Sequence, residues 1–396
     1  MSLPHRQSIP TRFPQEDNPG GIYVHVPFCR TRCSYCGFTS GIYDPDAKVR
    51  YIRSILREIE LYAHLAKRTA REFFFNTVYF GGGTPSLLDP EDVSRILVQI
   101  RSHLNVVPEE ITLEMNPGTV DRARLSSLRR IGINRVSLGI QSLLDSELLL
   151  MGRSHAVADA YAAFRDLRAA GFDNVSLDLI AGFPSQTLES LKRSLDSILD
   201  LRPEHVSVYL LEVKPGTRLH RLIDAGELPG PDEDLAADMY ETLCRDAKEA
   251  GYEHYEISNF ALPGKQSIHN LKYWTDCVYI GFGPGAHSMD GRTRYANFRD
   301  LTDFEKAVEA GDLPIEIKTK LTPEMRFKDA LIMGLRLVGG LNLELISERY
   351  NVDALQFIKK TVGDLLDQGL LRMQGEILLL TDRGRLLSNM VFSRWV

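Results

Sequence analysis

The stretch "PFCRTRCSYCGF", residues 27–38, places Cys29, Cys33 and Cys36 within eight residues. The chain of 396 residues has five cysteines in all, and the other two, Cys244 and Cys277, stand alone. So dense a group of thiols has a local use. A structural zinc site normally closes on four ligands, usually as two CxxC-like pairs. No second pair exists here, although His25 could supply a fourth ligand. A disulfide redox motif uses two thiols and leaves the third over. An iron–sulfur cluster is the remaining reading, because soft thiolates suit it. Three thiolates from one C-x3-C-x2-C loop can hold three corners of a [4Fe–4S] cube and leave one iron open to a ligand.

Outward from this loop the sequence alternates strand and helix. The β-rich run 22–26 leads into the cysteines, and further runs follow at 76–80, 111–115, 134–138, 174–180 and 205–211. Stretches with helical spacing lie between and after them, at 45–69, 89–103, 121–130, 156–170, 187–200 and 232–250. Repeated βαβ units imply a parallel sheet. Right-handed crossovers repeated in one direction curl its six strands into an α/β fold of the partial (β/α)6, TIM-type barrel class. In such folds chemistry gathers at the carboxyl ends of the strands. The cysteine loop follows the first strand and "GGGTP" (81–85) the second. Glu114, Gln141 and Asp178 stand at or just past the ends of the next three.

Residues 1–20 have the composition of a flexible tail with no apolar leader. The barrel and an irregular, aromatic-rich extension are expected over 21–300. Three helical segments and a small hairpin over 301–396 have the outline of a winged-helix unit. Its third helix carries only Lys359 and Lys360 as cations, beside Asp353, Asp364 and Asp367, so docking is expected of it rather than DNA binding. The formal net charge is −6 and the sequence pI about 6.0. That balance disfavours a nucleic-acid partner. Mean hydropathy is −0.17, and no run approaches the ~20 apolar residues of a membrane span. The odd cysteine count fits a reducing, cytoplasmic setting.

The cysteine spacing is the signature of radical S-adenosylmethionine (SAM) proteins, and the chain resembles that superfamily. The resemblance implies that SAM occupies the open iron and that the cluster's electron cleaves its sulfonium. It can be narrowed. "IYVHVPFCRTRCSYCGF", "VYFGGGTPSLL", "LEMNPG", "RVSLGIQSLLDSELLLMGRSH", "SLDLIAGFPSQT" and "HNLKYWTDCVYIGFGPGAHS" together resemble the oxygen-independent coproporphyrinogen III oxidase-like family over about residues 21–380. By that resemblance Tyr23, Gly82 and Glu114 contact the cluster-bound SAM. Tyr35, Gly83, Thr84, Gln141, Arg153 and Asp178 match positions that hold a second SAM in the oxidase.

Two features separate branches of the family. The oxidase carries a fourth cysteine two residues after the third, and this chain has Phe38 there. A phenyl ring does no thiol chemistry, so oxidase activity is not expected. The family's heme-chaperone branch carries phenylalanine. "HNLKYW" (269–274) matches that branch's heme-associated motif, which makes His269 the expected axial ligand and Tyr273 and Trp274 flat surfaces for a porphyrin; His287 is a competing ligand or a SAM neighbour. The resemblance thus implies a carrier of heme, with [4Fe–4S] and SAM as cofactors. Its partners would be recipient hemoproteins or respiratory-chain components, with peripheral membrane association conceivable. The other reading is a radical SAM catalyst of the same fold: a porphyrinogen decarboxylase, a heme-degrading methyltransferase, or a methylase or cyclopropanase.

Overall fold

The computed structural model describes residues 18–396. Most of the expected tail therefore lies outside the described residues, and Gly20 already belongs to a strand. One sheet of twelve strands dominates. Its parallel strands are β1 (Gly20–Val26), β2 (Phe74–Gly82), β3 (Asn105–Met115), β4 (Arg135–Gln141), β5 (Val175–Ala181) and β6 (His205–Leu210). They are hydrogen-bonded in chain order. Helices cross between them: α1 (Pro45–Arg68), α2 (Pro90–His103), α3 (Arg122–Arg130), α4 (Val157–Ala169) and α5 (Leu188–Leu201).

The strands are buried on both faces because helices cover the outside and lumen side chains fill the inside. In β1, Ile22, Val24 and Val26 pack outward and are fully buried. Alternation then turns Tyr23 and His25 to the lumen. Helix α1 starts where the Asp44 carboxylate accepts the Ala47 N–H and Pro45 occupies the first turn. It buries Tyr51, Ile52, Ile55 and Ile59 against the sheet, each worth about 1.5–3 kcal/mol when fully covered.

The expected irregular extension is structured. After α6 (Glu233–Glu249), β7 (Glu253–Glu256) and β8 (Asn259–Ala261) pair antiparallel beyond β6. Then come α7 (Ile268–Trp274) and β9 (Tyr279–Phe282), which lies parallel to β1 on its other side. Antiparallel β10 (His287–Met289), β11 (Thr293–Asn297) and β12 (Ile315–Lys320) continue outward. The sheet thus ends in two edges, β7 and β12, and is a partial barrel. From Glu316 to Lys320 every residue of β12 is exposed.

The second unit begins later than residue 300, since β12 carries the first sheet to Lys320. A separate core, from Phe327 to Trp395, is built by α8 (Pro323–Gly334), α9 (Leu343–Tyr350) and α10 (Ala354–Asp367). A three-stranded sheet of Leu341–Asn342, Leu371–Gln374 and Ile377–Leu380 completes the winged-helix outline. This unit docks on the segment around α7. The Asp276 carboxylate, buried and held at φ +54°, receives Arg349 at 2.8 Å and Arg326 at 3.5 Å, and Tyr350 donates to it. The Arg336 guanidinium stands 4.6 Å from the centre of the Trp274 ring.

Candidate functional site

The cysteine loop leaves the carboxyl end of β1 and is pinned from several sides. Gly41 N–H donates to Pro27 O and Tyr43 N–H to Cys29 O, each at 2.8 Å. Ser34 N–H donates to Met151 O at 2.9 Å, Leu219 N–H to Ser34 O at 2.7 Å, and Arg30 Nη1 to Gly118 O at 2.8 Å. Backbone bonds to three separate parts of the chain fix where the thiols stand. All three cysteines are free and partly accessible.

They line a cavity of about 510 Å³ at the carboxyl ends of the strands. Tyr35, Gly82, Gly83, Thr84, Glu114, Gln141, Arg153 and Asp178 line the same cavity. Among the described residues, no group of three or more His, Cys, Asp or Glu side chains is gathered as a single metal ion requires. His25, the possible fourth zinc ligand, is engaged on both nitrogens: Nε2 donates to Thr39 O at 2.7 Å and Nδ1 accepts from the Tyr23 hydroxyl at 3.1 Å. The zinc alternative therefore lacks its fourth donor. Soft thiolates distributed on a cavity wall suit a polynuclear cluster.

Behind the thiols the cavity is polar and tightly bonded. Glu114 is half-buried; it accepts from the Tyr79 hydroxyl at 2.8 Å and from Gly82 N–H at 3.1 Å. Burial pushes its carboxyl up to about 7 against those two bonds, and the Asp178 charge adds to the rise. Asp178 accepts from Ser137 at 2.9 Å and Ser176 at 2.9 Å, and burial raises its carboxyl as well. Arg153 reaches Cys33 Sγ at 3.3 Å, and its Nη2 donates to Asn116 Oδ1 and Gly139 O at 2.6 Å each. Its Nε is buried without a partner. Thr84 Oγ1 donates toward Cys29 Sγ at 3.7 Å.

Two backbone features make room here. A Cβ on Gly83 would lie 2.5 Å from the Phe28 carbonyl oxygen, so only glycine lets this turn pass under the cysteine loop. Gln141 has φ +68°, where side chains other than glycine are strained. The register of β4 against β5 shifts at the same place.

Two expected site residues lie elsewhere. Tyr23 lines a different cavity, described below. His269 lines neither cavity and is buried. Its Nδ1 hydrogen-bonds Thr77 Oγ1 at 2.8 Å, its Nε2 the Tyr273 hydroxyl at 3.0 Å, and its ring stacks on Tyr79 at 5.1 Å. Glu110 accepts the backbone N–H groups of Ile268 and His269 at the start of α7. Thr77 lies five residues before Gly82 on β2, so His269 sits deeper in the barrel than the thiols, toward the amino ends of the strands. Barrel residues at that end serve stability. Burial pushes its imidazole down to about 3, helped by Lys272 and Arg135. As folded, iron coordination through either nitrogen requires breaking one of these bonds. Trp274 faces Arg336 of the second unit.

Tyr79, Asn116 and Ser137 also line the cavity and were missed in the sequence. Asn116 bridges Thr84 at 3.0 Å and Arg153 at 2.6 Å. Its signal was its place in "LEMNPG", one residue past the end of β3. Tyr79 and Ser137 were marked only by strand alternation.

The second cavity, about 520 Å³, lies on the other side of the cysteine loop, with Gly37 and Phe38 common to both. Between the two stand Tyr23 and Tyr79, stacked at 6.1 Å. Beneath these rings Tyr79 rests on His269, which Tyr273 meets edge-on.

The model of the radical SAM superfamily matches residues 23–198, and the model of the HemN C-terminal domain matches residues 321–387. The second match agrees with the unit boundary after β12. The chain is 36% identical over 392 residues to heme chaperone HemW of Mycobacterium tuberculosis, covering 97% of this chain and 96% of that one. It is 33% identical over 376 residues to heme chaperone HemW of Bacillus subtilis, covering 94% and 98%. Among solved structures, coproporphyrinogen III oxidase (HemN) from Escherichia coli, a radical SAM enzyme, superposes with a TM-score of 0.83 over 96% of this chain and 91% of that one. At 24% identity this is a likeness of fold. Near-complete coverage by the two relatives, together with three thiols at the mouth of a partial barrel, leads to one conclusion: the chain belongs to the heme chaperone HemW family of radical SAM proteins.

Proposed function

We propose that the protein is a cytoplasmic heme carrier that binds a [4Fe–4S] cluster and SAM and passes heme to hemoproteins, those of the respiratory chain among them. The observation that carries this reading is Phe38, two residues beyond Cys36, where the oxidase has a thiol. Its ring is 67% exposed on the wall common to both cavities. An exposed phenyl ring is a contact surface for an apolar ligand.

Cys29, Cys33 and Cys36 would hold the cluster, and their spread around the cavity mouth fits that role. The cluster supplies one electron for reductive cleavage of SAM when both are bound. The chain's own contribution is orientation and charge. Glu114 offers its remaining lone pairs to an amino group, with Tyr79 and Gly82 fixing the carboxylate. Gly83 keeps the backbone close to the thiols. Arg153 supplies a buried cation for a carboxylate, and Asp178 an acceptor for ribose hydroxyls. These last two, with Tyr35, Thr84 and Gln141, are the groups available to a second SAM. No described helix is long and apolar enough to cross a membrane, so contact with a membrane-bound recipient would be made from its surface.

Anaerobic reconstitution followed by titration with heme and with coproporphyrinogen III tests the reading. Heme is expected to bind, and coproporphyrinogen to remain unconverted. Conversion to protoporphyrinogen at catalytic turnover overturns the carrier assignment.

A further inference from the structure

We propose that heme is held in the second cavity, with His287 as its axial ligand and Arg299 meeting its propionates; the inference rests on the heme-carrier reading above. Phe38, Tyr273, Tyr279 and Ile317 give this cavity flat, apolar walls. Two of them are unusually open for their type: Phe38 is 67% exposed and Ile317 58%. Such apolar area beside a concave site marks a place for an apolar partner. The volume of about 520 Å³ lies within the range of cofactor pockets.

The polar groups fit the same ligand. The side chain of His287 is exposed and makes no hydrogen bond or ion pair with another described residue. That distinguishes it from His25 and His269, both ring nitrogens of which are engaged. Partial desolvation, with Arg294 and Arg299 nearby, holds its pKa below the ordinary value, so the imidazole is neutral near pH 7, the form that binds iron. Arg299 is exposed and donates only its Nε, to Thr39 Oγ1 at 3.1 Å, which leaves its terminal nitrogens for a carboxylate. A planar, apolar ligand with a metal at its centre and carboxylates at its rim satisfies all of these groups together. Glu316 also borders the cavity, and its exposed side chain can turn to solvent.

The geometry also joins the two sites. Phe38 follows Cys36 by two residues, and Thr39, which receives Arg299, carries the carbonyl that receives His25. The loop that carries the thiols on one side is a wall of this cavity on the other.

The test is heme titration of the full chain and of His287→Ala and Ile317→Asp, read by the Soret band and by the electron paramagnetic resonance of ferric heme. Both sites are exposed, so both variants should fold, and circular dichroism checks this. His287→Ala should lose the signal of nitrogen ligation and bind about tenfold more weakly, with added imidazole restoring the signal. Ile317→Asp, which charges the apolar wall, should weaken binding with the ligation signal intact. If the wild type binds heme and His287→Ala keeps the same spectra and affinity, the site assignment is overturned while the carrier reading stands. If the wild type binds no heme, both fall.

Discussion

The two cavities share the cysteine loop as a wall and are built on opposite principles. In the first, three charged side chains are already tied to neighbours: Glu114 to Tyr79 and Gly82, Asp178 to Ser137 and Ser176, Arg153 to Asn116 and Gly139. In the second, His25, Tyr273 and Asn297 are tied as well, but the His287 imidazole is exposed and unengaged. A network fixed in advance suits a ligand whose orientation decides the chemistry. A cleft with an unengaged imidazole beside the exposed Phe38 and Ile317 suits cargo that must leave again.

The largest effect should come from the loop. Cys33→Ala removes one of three thiolates, and the reconstituted protein should lose most of its iron and sulfide, while Cys244→Ala and Cys277→Ala retain theirs. Full cluster occupancy in Cys33→Ala would erase the distinction between the cavities and the radical SAM reading with it. Next in size, Glu114→Ala should weaken SAM binding by about 1.5–3 kcal/mol, the range of a hydrogen bond to a charged group, with the cluster intact and heme affinity unchanged. Isothermal calorimetry under anaerobic conditions measures the first of these. Equal losses for SAM and heme would show that the two sites are not separate.

Asp276→Ala acts on the other side. It removes the carboxylate that gathers Arg326 and Arg349, with an expected loss of about 2 kcal/mol in unfolding free energy by urea titration. Because α7 carries Tyr273, heme affinity should fall several-fold while SAM affinity holds. The smallest effect is one of pH. Burial raises the Glu114 carboxyl to about 7, and its carboxylate is the stronger acceptor for an amino N–H. SAM affinity should therefore decline as pH falls below about 7, and Glu114→Gln should flatten that slope. A wild-type affinity independent of pH between 6 and 8 rejects this role for Glu114.

The same contrast governs what the sequence revealed. The barrel was legible because six strands and their helices repeat long, regular patterns: helix 45–69 was expected and Pro45–Arg68 observed. Glycines and carboxylates at strand ends then located the first cavity. The stretch after residue 250 was not legible, because β7 to β10 are three or four residues long, too short to show a period. Two of these short strands, β9 and β10, border the second cavity through Tyr279 and His287. His269 shows the remaining gap. A motif gives residue types and spacing, but not depth, and depth is what puts this imidazole under Tyr79 rather than on a cavity wall. Tyr23 was matched by resemblance to cluster-bound SAM and lines the second cavity; a motif does not say on which side of Tyr79 a ring opens.

The exposed strand β12 has a consequence for the behaviour of the protein at high concentration. A barrel that fails to close leaves an edge whose unpaired amides and carbonyls invite a strand from another molecule. Glu316, Lys318 and Lys320 alternate along this edge with Ile317 and Thr319. To pair there, a second copy would have to bring its own lysines and glutamate into a shared ladder and strip them of water. Charge thus guards an edge that leaves Ile317 uncovered, and neutralising the two lysines should make copies of the chain associate edge to edge.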